Sequence, residues 1–133
     1  MLGTPKIIMT YKFKNIIARK LNKSIKLALS SQNIKPDYYK IFKEHNSYLN
    51  ILKKIGLKIN LLEPLENYPD SIFVEDNAII YNLNCIILKP FHHSRKGECK
   101  VIKNEIKKYF KKILFVERGT IEGGDVLNIN NHF

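Results

Sequence analysis

The chain has little that points to a metal, a membrane or a polyanion. Its two cysteines, Cys85 and Cys99, form no C-x-x-C pair, so no zinc site is expected. In a reducing compartment both read as free, buried thiols. No apolar run approaches the roughly 20 residues that span a bilayer. The opening stretch MLGTPKIIMTYKFK lacks the apolar core and small-residue cleavage site of a secretory signal. The expectation is a cytoplasmic protein with no membrane partner. Arginine is scarce too, with only Arg19, Arg95 and Arg118. Its planar fork suits phosphate best, so this scarcity weighs against nucleic acid. The net charge of +11, from 23 Lys+Arg against 12 Asp+Glu, would otherwise invite that reading. The lysines are instead spread along the chain, most of them alternating with apolar residues at helical spacing. No segment is of low complexity and none reads as a linker.

Hydrophobic residues at 44% and charged residues at 26% fit one small folded domain. Residues 13–19 read as a strand, and 21–35 as a loop with one helical turn. Pro36-Asp37 opens a helix whose stripe is Tyr38, Ile41, Phe42, His45, Tyr48, Leu49, Leu52 and Ile55, stopped by Gly56. A strand follows at 58–62. Next comes a hairpin, 77–81 and 85–88, turning at Asn82-Leu83-Asn84. Ser94 is the expected N-cap of a second long helix, faced by Val101, Ile102, Glu105, Ile106, Tyr109 and Phe110. Strands at 113–116 and from 125 to 129 complete an α/β or α+β order. The two helices echo each other: each leads through a short strand into an acid-bearing segment.

Those two segments carry the chemistry. PDSIFVED places Asp70, Glu75 and Asp76 within a few residues of one another. Read as an extended strand, it puts Asp76 on one face with Val74 and Ile72. A carboxylate among apolar neighbours needs a cation or donors. The spacing alone favours a structural acid paired with a lysine or a loop backbone over a site. In TIEGGD, two glycines between Glu122 and Asp125 imply a sharp turn or a close backbone approach. An ordinary polar hairpin tip fits equally. Together the segments suit a planar guanidinium, which several carboxylates hold by charge-assisted hydrogen bonds. A metal is the competing use of clustered acids, but no EF-hand spacing or paired-histidine motif is present.

In order along the chain, FKNIIARKLNKSIKLAL, KPDYYKIFKEHNSYL, NYPDSIFVEDNAII, SRKGE and TIEGGDVLNINNHF resemble dimethylarginine dimethylaminohydrolase of the bacterial type, a member of the pentein or guanidine-modifying amidinotransferase superfamily. The resemblance runs from Phe13 to Phe133, with residues 1–12 as an N-terminal extension. It implies an α/β fold, about the first half of a five-bladed α/β propeller that continues past Phe133. It also implies hydrolysis of N-omega-methylated arginine to citrulline plus methylamine or dimethylamine, through a cysteine thiouronium intermediate and without a cofactor. Asp76 matches the acid that grips the guanidinium, and Glu122 the acid that orients the catalytic histidine. Asp70 and Arg95 match residues at the substrate's ammonium and carboxylate. Glu75 matches a further acid, and Leu29 lies in the lid segment, where its carbonyl reaches the substrate. The family's histidine, nucleophilic cysteine and second arginine fall beyond this sequence, so the chain alone is expected to be inactive. The missing C-terminal half is then its expected partner. None of Cys85, Cys99, His45, His92, His93 or His132 occupies a catalytic position of the family. Two alternatives are a non-catalytic remnant that binds arginine-like cations and a related arginine deiminase or amidinotransferase.

Overall fold

The computed structural model describes residues 13–32, 34–81 and 83–127. The expected extension at 1–12, turn residue Asn82, the last two residues of the strand expected from 125 to 129, and His132 lie outside them. The first unit is strand–helix–strand. β1 (Asn15–Arg19) pairs in parallel with β2 (Lys58–Leu62), register Asn15↔Lys58 to Arg19↔Leu62. A parallel pair needs a long crossover, and α1 (Tyr38–Lys54) supplies it. Asp37 caps α1 by accepting from the N–H groups of Tyr39 (2.8 Å) and Lys40 (3.1 Å). Gly56, at φ +88°, ends it in the left-handed conformation that glycine adopts without a Cβ penalty. Of the predicted stripe only Leu49 is fully buried, while Phe42, Tyr48 and Ile55 remain exposed.

The second unit has three strands in the order β3–β4–β5. β3 (Ala78–Tyr81) and β4 (Asn84–Ile87) form the expected antiparallel hairpin, and β5 (Lys112–Phe115) pairs in parallel with β4. Their crossover is α2 (Glu98–Ile106). The helix begins later than the sequence predicts. Ser94 lies inside a separate 3₁₀ turn, His93–Arg95, whose cap is the imidazole of His92. At the break, Lys96-Gly97, the backbone passes close to Tyr68: a Cβ on Gly97 would fall 1.9 Å from the Tyr68 hydroxyl oxygen. Any side chain at position 97 would collide with the Tyr68 ring.

One core joins the units. Leu62 of β2 meets Cys85 and Ile87 of β4 and Ile102 and Ile106 of α2, with Val74, Ala78, Tyr109 and Phe110 around them. Both acid-bearing segments follow the parallel strands, as the internal echo implies, but neither is extended. In 70–77 the N–H groups of Phe73 and Asp76 bond to the carbonyls of Asp70 and Phe73, at 3.1 and 3.2 Å. Such three-residue steps make a turn and then a 3₁₀ helix, Val74–Asn77. The expected strand alternation of Ile72, Val74 and Asp76 is therefore not realised. Gly123–Asp125 is likewise 3₁₀, where a new strand was expected to begin at Asp125.

Candidate functional site

The two 3₁₀ turns lie against each other. Beyond β4, Lys89 and Ile121 exchange backbone hydrogen bonds of 3.2 and 2.9 Å, which anchors the second turn beside the hairpin. A Cβ on Gly123 would stand 2.2 Å from the carbonyl oxygen of Glu75. The close backbone approach that the glycines implied is thus an approach to the other acidic segment. It carries Glu122, half-buried, to the neighbourhood of Asp76. Asp125 closes the turn from outside by accepting the Glu122 N–H at 2.9 Å.

Asp76 is held by an internal cation. Nη1 of Arg95 donates to Asp76 Oδ2 at 2.7 Å. Nη2 donates to Glu98 Oε2 at 2.9 Å, and to the carbonyls of Phe73 and Asp70 at 3.3 and 3.5 Å. Burial by itself lowers the affinity of this guanidinium for its proton. The hydrogen bonds and charges of Glu98 and Asp76 outweigh that, and the net shift is upward. The expectation placed Arg95 at a substrate carboxylate. In the structure its side chain is buried to 4% exposure and lies against Asp76 and Glu98. Asp76 is 27% exposed, and its second oxygen, Oδ1, meets no donor among the described residues.

Asp70 is buried beneath the segment that contains Leu29. The Leu29 N–H donates to Asp70 Oδ1 at 3.1 Å, while Oδ2 is buried with no partner among the described residues. A buried carboxylate oxygen without a donor is costly and uncommon. The Leu29 segment is fastened at its base. Glu66 accepts from the N–H groups of Lys23 (3.0 Å) and Ser24 (3.2 Å), and buried Asn22 donates to Ser71 Oγ at 2.9 Å. Glu75 is exposed on the first turn. Asp70, Asp76, Arg95 and Leu29 are thus linked by hydrogen bonds, and Glu75 and Glu122 join them through the contact of the two turns.

Two participants escaped the sequence reading, Glu98 and Asn77. Glu98 Oε2 takes Arg95 and also the Asn77 amide, at 2.7 Å. The signal was there, since Glu98 stands three residues after Arg95 within SRKGE. Three residues apart is a contact spacing on a helical turn.

Burial pushes the thiols of both Cys85 and Cys99 up to about 11, and the negative charge of Glu98 adds to the effect at Cys99. Cys99 donates to the Leu88 carbonyl at 3.0 Å. His45 bonds the Arg19 carbonyl at 2.9 Å, and His92 bonds Ser94 Oγ at 2.8 Å. Among the described residues no three His, Cys, Asp or Glu side chains converge as a metal site requires, and no helix is long and apolar enough to cross a membrane.

Fold and site define a class: an α/β protein in which repeated strand–helix–strand units bring acids together around a buried arginine. Known proteins sharpen it. The family described as N,N dimethylarginine dimethylhydrolase, eukaryotic, matches residues 13–131. The N(G),N(G)-dimethylarginine dimethylaminohydrolase of Pseudomonas aeruginosa is 38% identical over 124 residues, covering 91% of this chain and 49% of that protein. The Streptomyces coelicolor protein of the same name is 29% identical over 98 residues, covering 73% and 38%. A solved structure of a cysteine-to-serine mutant of the Pseudomonas aeruginosa enzyme, complexed with citrulline, superposes with a TM-score of 0.84 at 37% identity, over 90% of this chain and 48% of that one. The N-terminal domain of a cyanobacterial arginine dihydrolase shares the fold, with a TM-score of 0.71 at 13% identity over 86% and 44%. The chain belongs to the dimethylarginine dimethylaminohydrolase family, within the pentein superfamily. It spans 49% and 38% of the lengths of these two curated relatives.

Proposed function

We propose that this chain is the guanidinium-binding part of an enzyme that hydrolyses N-omega-methylated arginine to citrulline and methylamine or dimethylamine. The observation that carries the reading is the buried Oδ2 of Asp70, which has no partner among the described residues, in a cluster whose other acid, Asp76, also keeps one oxygen without a donor among them. Two unfilled acceptors suit a ligand with two cationic ends. Asp70 takes the ammonium. Asp76 and Glu122 take the guanidinium, Glu75 adds negative field at the rim, and the Leu29 carbonyl closes over the ligand. Arg95 keeps Asp76 in place from behind and lends positive charge to the side where the ligand's carboxylate lies.

In this reading a cysteine thiolate attacks the guanidinium carbon and a histidine protonates the departing amine. Water then splits the thiouronium adduct. The acids keep the guanidinium charged and aligned, which keeps its carbon electrophilic. Neither thiol of this chain fits that nucleophile, because both hold their protons too tightly. Turnover therefore needs the rest of the family's length, and the two units are part of a five-bladed propeller around the ligand.

The test is calorimetric titration with N-omega-methylarginine, alongside a citrulline assay. The folded chain should bind the ligand and release no citrulline. Asp70→Asn and Asp76→Asn should each weaken binding by about tenfold or more, the worth of one charge-assisted contact. Binding unchanged in both variants would sink the assignment. Preference for unmethylated arginine would favour a deiminase-type relative instead.

A further inference from the structure

We infer that Glu98 and Asn77 are positioning residues that keep Asp76 open to an outside cation, acting through Arg95. The inference rests on the proposed site and adds how its acid is held. Glu98 lies in the first turn of α2 and is 1% exposed, out of reach of a ligand. Its Oε2 receives Asn77 Nδ2 at 2.7 Å, Arg95 Nη2 at 2.9 Å and Arg95 Nε at 3.3 Å, while Oε1 is buried with no partner among the described residues. Asn77 directly follows Asp76 and is itself buried. One carboxylate therefore grips the acidic turn twice: directly at Asn77, and through Arg95 at Asp76.

The charges decide what this grip does. Arg95 carries one formal positive charge and its two carboxylate partners carry two negative ones, so the trio keeps a net negative charge. Glu98 is sealed inside, so that charge is open to a ligand only at Asp76. The guanidinium's planar fork favours two parallel bonds to one carboxylate. Glu98 prevents that pairing by holding Nε and Nη2, which leaves a single nitrogen for Asp76. Without the Glu98 charge, only the longer bonds to the Phe73 and Asp70 carbonyls, 3.3 and 3.5 Å, hold Nη2, and Arg95 can close on both oxygens of Asp76 and neutralise it. The internal arginine would then occupy the place of the ligand's guanidinium.

The experiment is NMR of the whole chain without ligand, followed by titration with N-omega-methylarginine. In the wild type the Arg95 Nη protons should appear as separate, slowly exchanging signals, since Asp76 and Glu98 hold opposite sides of the group. Glu98→Gln and Asn77→Ala should each move the Asp76 carboxyl carbon signal. Glu105→Gln, which breaks a different buried arginine pair, should leave that signal in place, so general loosening is separated from positioning. Affinity for methylarginine should fall about tenfold in Glu98→Gln. Averaged Arg95 Nη signals in the wild type would overturn the inference, and that measurement needs no variant to fold. So would an unmoved Asp76 signal in folded Glu98→Gln. The NMR changes without ligand binding even to the wild type would leave the positioning intact and count against the cation site instead.

Discussion

Among single residues, burial decides what the thiols can do. Cys85 is 0% exposed and Cys99 half-buried. Their protons are held up to about 11, against the ordinary 9.0. Near neutral pH a rise of that size leaves about a hundredfold less thiolate. Labelling by a disulfide reagent at pH 8 should thus be slower in the native than in the urea-unfolded chain by about that factor or more. The raised values also bear on stability. A group whose native pKa is raised stabilises the fold below its unfolded value and loses that contribution as pH climbs towards the native one. Urea midpoints should fall between about pH 9 and 11. Replacing Cys85 with Ala should remove part of that fall, measured as the difference between midpoints at pH 8 and pH 10.5. Equal labelling rates in the native and unfolded chains would contradict the burial argument.

Among the elements, the contact between the two 3₁₀ turns is the feature on which the candidate site depends. Its closeness is a matter of one missing Cβ. Gly123 has the Glu75 carbonyl oxygen 2.2 Å from where a side chain would begin, and its neighbour Gly124 has open space. The blocking atom is backbone, which cannot swing aside as a side-chain tip can. Gly123→Ala should push the turns apart, destabilise the chain by about 1–3 kcal/mol as overpacking does, and weaken methylarginine binding. Gly124→Ala should be tolerated within about 0.5 kcal/mol, like a surface change that meets nothing. Chemical denaturation of the two variants side by side checks this, and equal losses would show that the turns leave room for a side chain at Gly123. The GGD sequence thus contains two glycines with different reasons to be there, and only the first is explained by space.

For the molecule as a whole, Arg19 stitches the two units together. It ends β1 and is 1% exposed, yet it pairs bidentately with Glu105 of α2 at 3.0 and 2.6 Å. It also donates to the carbonyls of Glu63 and Ser71 at 2.7 and 3.1 Å, so one guanidinium ties β1, the loop after β2, and α2. Such a pair adds little compared with apolar packing, but removing one partner strands a buried charge. Glu105→Gln should therefore cost about 3 kcal/mol in urea unfolding. Lys20→Gln, which breaks the exposed pair with Glu63, should cost under about 1 kcal/mol. Similar losses from both would mean that Arg19 finds water or another acceptor when Glu105 is gone.

Whatever depends on near neighbours could be read directly from the order of residues. Asp37 before an apolar stripe, Gly56 after it, and the turn between two β-branched runs set the first helix and the hairpin. Capping, left-handed glycine and strand alternation all operate within a few residues. Motif order carried the family as well, since PDSIFVED, SRKGE and TIEGGD stand in sequence whatever the fold does. What those acids face was settled by packing. Asp76 and Arg95 are 19 residues apart and meet only because the hairpin and α2 pack on one core. Helix and strand patterns predict such a meeting poorly, because a long side chain turns towards whichever charge is nearest in space. That is why Arg95 points inward to Asp76 and Glu98, and why a segment whose pattern suited a strand became a 3₁₀ turn. No ladder partner lies along it among the described residues, whereas Arg95 draws the Phe73 carbonyl and the Asp76 carboxylate to one side.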